Sequence, residues 1–326
     1  MPKKIVVSGI QPSGKLHIGN YLGMIKNAVE IQKEDYKRFY FLADYHSLTE
    51  RYDPKAKRDE IMDLAIDMLA AGIDPKKSVL FAQSHVPAHA NLTWLFNTVI
   101  SVGELSRMVE YKEKVSQGHP ANAGLLTYPT LMAADILIYN ADFVPVGEDQ
   151  RQHMELTRTV ARNFNNRFGK TFKEPKELHT KNPRVMSLNN PEKKMSKSQP
   201  SGCIFLSDSP AQIKKKVMSA QTDSHKEVGY DPQKRPAISN LVEIYAAFSG
   251  MTTAAVVKKY KGKGYANFKK DLAKLIIDSL KPLQENRKKL MKTPKKVIKI
   301  LEDGAKAANP IANKKLAEAQ KKAGLI

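Results

Sequence analysis

Cysteine is all but missing from this chain. The single one, Cys203, rules out an intramolecular disulfide and leaves no thiolate cluster for zinc or iron–sulfur. No residue set is expected to hold a metal, and any metal should arrive with a substrate. Long apolar runs are absent as well: nothing approaches the roughly 20 apolar residues that a membrane span needs. The opening Met1-Pro2-Lys3-Lys4 leads into a short strand pattern instead of a signal-peptide core. The expectation is a cytoplasmic chain with no membrane partner. There is no Walker loop either, since Gly-x-x-x-x-Gly-Lys-Ser does not occur, and no internal repeat or low-complexity tract.

Acidic residues are scarce beside basic ones: 33 Asp and Glu against 54 Lys and Arg give a formal charge of +21. The excess is uneven. Residues 201 to 326 hold 26 Lys and Arg against 11 Asp and Glu, a net +15, whereas the first 200 residues carry only +6. Such a skew fits a polyanionic partner, because neutralised phosphates release counterions; a solvated basic face fits it equally well. At 326 residues and 41% hydrophobic content the chain can bury a full core, with length for one large domain and a smaller one.

Short apolar runs alternate with helical patterns in the first two thirds, which predicts an α/β fold with a parallel sheet covered by helices. Candidate strands are Ile5-Val6-Val7, Phe39-Tyr40-Phe41-Leu42, Val79-Leu80-Phe81 and Phe143-Val144-Pro145-Val146, with Pro145 pointing to a strand end. Between the second and third, Asp53-Pro54 supplies a cap and first turn. Ile61, Leu64, Ala65, Met68 and Leu69 then keep helical spacing, and Gly72 supplies the stop, as in a crossover helix. In such sheets ligands sit beyond the carboxyl ends of the strands, where strand order reverses. Polar residues follow each strand there: Ser8 to Gly14, Asp44-Tyr45-His46, Gln83-Ser84-His85, and Gly147-Glu148-Asp149-Gln150. From about Ser207 only helices are expected, one opened by Ser209-Pro210 and others near 237–249, 266–280 and 310–322.

Two segments carry chemistry together. Gly9-Ile10-Gln11-Pro12-Ser13-Gly14-Lys15-Leu16-His17-Ile18-Gly19-Asn20 takes the chain from a strand into a helix through a Gly- and Pro-rich turn. Backbone N–H groups and the positive end of a helix dipole suit a phosphate there, and the glycines allow close approach; an ordinary turn with a capping histidine is the plainer reading. Lys193-Lys194-Met195-Ser196-Lys197-Ser198, between Pro191 and Pro200, reads by itself as a solvated basic loop. As a pair in this order the two resemble the signatures of class I aminoacyl-tRNA synthetases. His17-Ile18-Gly19-Asn20 stands for His-Ile-Gly-His, and Lys194 to Ser198 matches Lys-Met-Ser-Lys-Ser in full.

Within that class the chain resembles the bacterial-type tryptophanyl-tRNA synthetases over nearly its whole length. The matching stretches are Ser8 to Gly23, Gly124 to Gln150, Glu155 to Arg158, Arg184 to Ser198 and Ile238-Ser239-Asn240-Leu241. Leu131 to Leu137 and Val144 to Gln150 are the most diagnostic. The resemblance implies a Rossmann-like catalytic domain over 1–200, with a helical dimerisation insertion and the Lys-Met-Ser-Lys-Ser loop, and a smaller all-helical, basic domain over 201–326 for tRNA anticodon recognition. It implies activation of L-tryptophan by ATP with Mg2+ on its phosphates, release of pyrophosphate, transfer to tRNA(Trp), and a homodimer. The apolar stretch Leu92 to Val102 is where the dimer surface is expected.

By the same resemblance Lys194, Lys197 and Lys114 are the catalytic cations. ATP contacts fall on Gln11, Pro12, Ser13, Gly19, Asn20, Gly147, Glu148, Asp149, Val185, Lys194, Met195, Ser196, Lys197 and Ser198. The tryptophan pocket falls on Asp135, Met132, Tyr128, Val144, Val146, His46 and Gln150, with Asp135 accepting the indole N–H. The residues permit this: indole has one donor and no acceptor, so its pocket needs a carboxylate in an apolar wall. Met132 and Asp135 share a helix face, and Val144 and Val146 a strand face. Taken alone, however, Asp135 reads equally well as a buried cap or ion-pair partner. Two positions depart from the family: Val7 stands where an aromatic often precedes the Ser-Gly-Ile turn, and Tyr45 where Gln is common. A tyrosyl-tRNA synthetase of the same class is the alternative.

Overall fold

The computed structural model of the chain describes residues 2–147, 150–179, 183–197 and 199–325, with only the backbone of His179. Among the described residues five parallel strands form one sheet: β1 (Lys4–Ile10), β2 (Tyr36–Leu42), β3 (Val79–Ala82), β4 (Phe143–Val146) and β5 (Lys176–His179), in the order β3-β2-β1-β4-β5. The four expected strands are present. The fifth was not foreseen, because Lys176-Glu177-Leu178-His179 offers one large apolar side chain in four; as an edge strand it needs only β4 as a partner. Strand order turns back between β1 and β4, which opens the crevice for a ligand at that point.

The helices are α1 (Ile18–Asn20), α2 (Lys26–Ile31), α3 (Pro54–Ala70), α4 (Ala88–Asn97), α5 (Val102–Ser106), α6 (Val109–Ser116), α7 (Ala123–Leu137) and α8 (Arg151–Phe168). After the strands end come α9 (Pro210–Ser219), α10 (Pro236–Ser249), α11 (Thr253–Lys259), α12 (Gly264–Met291) and α13 (Pro294–Lys322). The crossover helix α3 starts and stops as its sequence dictates: Asp53 accepts from the Lys55 N–H at 2.9 Å, and Gly72 takes φ 112° just past its end. The last two helices are much longer than the expected 266–280 and 310–322, running through Pro282 and Pro310. Proline removes one backbone bond there, but the buried stripe continues across it, through Leu280 and Leu283 in α12 and through Ala305, Ala308 and Ala312 in α13. Helix α11 was also unforeseen.

Along β2 the side chains alternate between two cores, as strand geometry requires. Tyr40 and Leu42 join a cluster with Leu64, Leu80, Ile238, Leu272 and Leu301 on one face. Phe39 and Phe41 join Phe81, Leu92, Phe96, Ala308 and Leu316 on the other. Both clusters draw residues from before and after position 200, and Arg287 of α12 bonds to Asp63 and Asp67 of α3 at 2.8 and 2.7 Å. Helix α13 lies on β3 so closely that a Cβ on Gly304 would stand 1.9 Å from the Leu80 carbonyl oxygen. Gly304→Ala must push the helix off the strand and is expected to cost about 1–3 kcal/mol, read as a lower unfolding midpoint. A midpoint equal to wild type would contradict the contact.

The stretch Leu92 to Val102 does not face outward as a unit. Leu92, Leu95, Phe96 and Ile100 are buried in the second core, and of the stretch's large apolar side chains only Trp94 and Val102 stand out, 72% and 68% exposed, with Val109 nearby in sequence at 55%. Among the described residues no single helix is long and apolar enough to cross a membrane.

Candidate active site

A cavity of about 980 Å³ opens at the carboxyl ends of β1 and β4. Sixteen of the residues singled out above or paired with them line it: Gln11, His17, Gly19, Asn20, His46, Lys114, Tyr128, Met132, Asp135, Val144, Val146, Gly147, Gln150, Val185, Lys194 and Met195. Pro12, Ser13, Ser196 and Lys197 lie outside its lining. Glu148, Asp149 and Ser198 fall outside the described residues. Val7 and Phe41 add apolar wall, and Glu110, Arg151 and Arg184 add charge.

At its core stands Asp135, 1% exposed on α7. Its Oδ1 accepts from Gln83 Nε2 and from His89 Nδ1, both at 2.6 Å, and its Oδ2 accepts from His46 Nε2 at 2.8 Å. Burial alone would raise this carboxyl, but the hydrogen bonds that His46 and His89 donate to it hold it below the ordinary carboxylate range. Gln83 and His89 were not foreseen as site residues. Gln83 is the first residue past β3, where polar residues do mark a strand end; His89 shows only as a lone histidine in the apolar sequence of α4. Tyr128 bonds to His153 at 2.7 Å, and His46 sits edge-on to its ring.

The other end is built by the turn after β1. His17 caps α1: its Nδ1 accepts from the Asn20 N–H at 3.4 Å while Asn20 Oδ1 accepts from the His17 N–H at 3.2 Å. A side chain at Gly19 would meet the His17 ring at 3.0 Å, so the close approach depends on glycine. The Lys194 segment is held to residues 185–187 by backbone bonds, Met195 N–H to Val185 O at 3.1 Å and Ser187 N–H to Lys193 O at 2.8 Å, and a Cβ on Gly19 would lie 3.5 Å from the Val185 Cβ. Lys197 Nζ reaches across to the turn itself, donating to Ser13 O, Ser13 Oγ and Gly14 O at 2.9, 2.9 and 3.2 Å. Burial pulls its ammonium down to about 8, against the pull of Glu60 and Asp67. Lys114 is different: burial would lower it, but the bond to Glu50 at 2.6 Å and the charge of Glu110 carry it above its ordinary value.

Burial, with Lys197 and Lys194 near, lowers His17 from 6.5 to about 4. A neutral ring is what its capping role needs, since Nδ1 must keep a lone pair. The folded value lies below the unfolded one, so this contribution to stability is complete above pH 6.5 and is lost as pH falls toward 4. Between pH 7 and pH 5 the loss should be about 2 kcal/mol. Wild type should lose that much more unfolding free energy over the interval than His17→Asn. Equal pH slopes would contradict it.

The family described as tRNA synthetases class I (W and Y) matches residues 2–281. This chain belongs to the class I tRNA synthetases. Among individual relatives, this synthetase is similar to the tryptophan–tRNA ligase of Caldanaerobacter subterraneus subsp. tengcongensis, 48% identical over 326 residues and 99% of each chain. Among solved structures it is similar to tryptophanyl-tRNA synthetase from Mycoplasma pneumoniae (TM-score 0.89, 34% identity, 100% of this chain and 99% of that one). It is also similar to the Campylobacter jejuni tryptophanyl-tRNA synthetase complexed with ADP and tryptophan (TM-score 0.83, 36% identity, 98% and 100%). The Rossmann-like sheet expected of the class is the one observed in this synthetase.

Proposed function

We propose that this synthetase is a tryptophan–tRNA ligase: it joins L-tryptophan to ATP as tryptophanyl-adenylate, releases pyrophosphate, and transfers the tryptophanyl group to tRNA(Trp). The observation that carries the reading is Asp135. A carboxylate offers about four lone-pair sites; three accept from Gln83, His89 and His46, and one on Oδ2 is left for the single N–H of indole. Met132, Val144 and Val146 supply apolar contact for the ring, Tyr128 stands beside them one helical turn before Met132, and His46 and Gln150 orient the ammonium or carboxylate. A tyrosine phenol must both donate and accept, a different demand on the site.

In the first step a tryptophan carboxylate oxygen attacks the α-phosphorus of ATP, and the bond from that phosphorus to the bridging oxygen of the leaving pyrophosphate breaks. Positioning and cations suffice for this. Gln11, Pro12, Ser13, Gly19, Asn20, Gly147, Glu148, Asp149, Val185, Met195, Ser196 and Ser198 hold the nucleotide, and Mg2+ comes bound to its phosphates. Lys114, Lys194 and Lys197 meet the charge that shifts onto pyrophosphate. In the second step a ribose hydroxyl at the 3′ end of tRNA attacks the tryptophanyl carbonyl and AMP leaves.

The chain works in the cytoplasm as a homodimer, with residues 1–200 as the catalytic part and α4 to α6 as the dimerisation insertion. Trp94, Val102, Val109 and Val115 are the exposed large apolar side chains there. The net +15 of residues 201 to 326 binds tRNA phosphates, while unpaired anticodon bases give selectivity. Charging of a tRNA(Trp) transcript tests the whole reading: tryptophan should be esterified to it and tyrosine should not. Charging with tyrosine, or with neither, would overturn it.

A further inference from the structure

Tyr139 and His89 do not line the cavity, yet both are polar groups sealed in the second core, 1% and 0% exposed. Tyr139 stacks on Phe39 with ring centroids 4.4 Å apart and 14° between planes. A phenylalanine would keep that stacking without burying a hydroxyl, which is costly unless it is bonded. The hydroxyl is bonded, to His89 Nε2 at 2.8 Å, and the opposite ring nitrogen meets Asp135 Oδ1 at 2.6 Å. Nδ1 faces a carboxylate and so carries the proton, which leaves Nε2 to accept the Tyr139 O–H. The chain of bonds therefore runs one way, from Tyr139 through His89 to Asp135.

We propose that Tyr139 and His89 are positioning residues for amino-acid selection: with Gln83 they fill Oδ1 of Asp135, so that only Oδ2 is offered to the substrate. This rests on the reading of Asp135 as the indole acceptor. Held at one nitrogen alone, the His89 ring can turn; held at both, it fixes the plane of the carboxylate. Indole recognition then depends on a hydroxyl that never touches the substrate.

The test measures kcat/KM in ATP–pyrophosphate exchange for tryptophan and for β-(3-benzothienyl)alanine, whose ring has sulfur in place of N–H. Wild type should prefer tryptophan, and Asp135→Asn should remove the preference. Tyr139→Phe should lower the preference roughly fivefold to tenfold, about one weakened hydrogen bond, through loss on tryptophan with the sulfur analogue unchanged. His89→Leu should lower it further, while His89→Asn, whose amide can stand in for Nδ1–H, should restore part of it. Equal losses on both substrates, or no change in Tyr139→Phe, would overturn the proposal while leaving Asp135 in its role. A preference that survives Asp135→Asn would overturn that role and the proposal with it. If His89→Leu fails to fold, Tyr139→Phe decides, since it removes one oxygen and keeps the ring.

Discussion

Lys197→Ala is expected to slow adenylate formation about 100- to 1,000-fold while changing the KM for ATP little, the signature of an interaction made mainly in the transition state. The geometry supports a ground state in which this ammonium is occupied elsewhere. It donates to Ser13 O, Ser13 Oγ and Gly14 O, and it lies outside the cavity lining. To meet a leaving pyrophosphate it must exchange those neutral acceptors for an anion, a trade that grows more favourable as charge builds on the phosphates. Its ammonium, lowered to about 8, remains mostly charged at neutral pH and loses its proton as pH rises past that value. The rate should therefore decline on the alkaline side as well. A loss confined to the KM for ATP would make the loop a simple phosphate clamp.

Changes at Asp135 should divide into two effects. Asp135→Ala is expected to lower kcat/KM for tryptophan at least about 10- to 100-fold, since a buried N–H loses its acceptor at roughly 1–3 kcal/mol, with ATP binding nearly unchanged. It also strands the donors on Gln83, His89 and His46, of which the first two are fully buried. Alanine should therefore lower stability by roughly 3 kcal/mol or more, and asparagine by less. In wild type the folded carboxyl lies below its unfolded value, so its stabilisation is present above the ordinary carboxylate range and is lost as pH falls through the lowered value. Unchanged tryptophan kinetics in a folded Asp135→Asn would remove the residue from the pocket.

Local pattern was enough for much of the fold. The short continuous apolar run Phe39 to Leu42 reads as a strand buried on both faces, the cap, stripe and stop of Asp53 to Gly72 read as a helix, and the structure has adopted both. Other features answer to partners far along the chain. Lys176 to His179 becomes a strand only because β4 offers an edge, and α12 and α13 run through Pro282 and Pro310 because their buried faces continue beyond them. The apolar sequence of α4 gave no sign of which side chains the second core would take, so Leu92, Leu95 and Phe96 were assigned to a surface they do not reach. The site divides the same way. The two signature segments were legible because their residues lie close in sequence, whereas the bonds that hold Asp135 join positions 46, 52 and 89 residues apart. His89 and Tyr139 belong to such a network and leave no local mark.

On the function proposed above, this site selects an amino acid by its indole and activates its carboxylate with ATP. Amino-acid-dependent exchange of labelled pyrophosphate into ATP by the purified chain, with tryptophan and tyrosine compared side by side, measures that directly. Rapid exchange with tryptophan and background exchange with tyrosine are expected. Exchange driven by tyrosine, or none with either amino acid, would contradict that function.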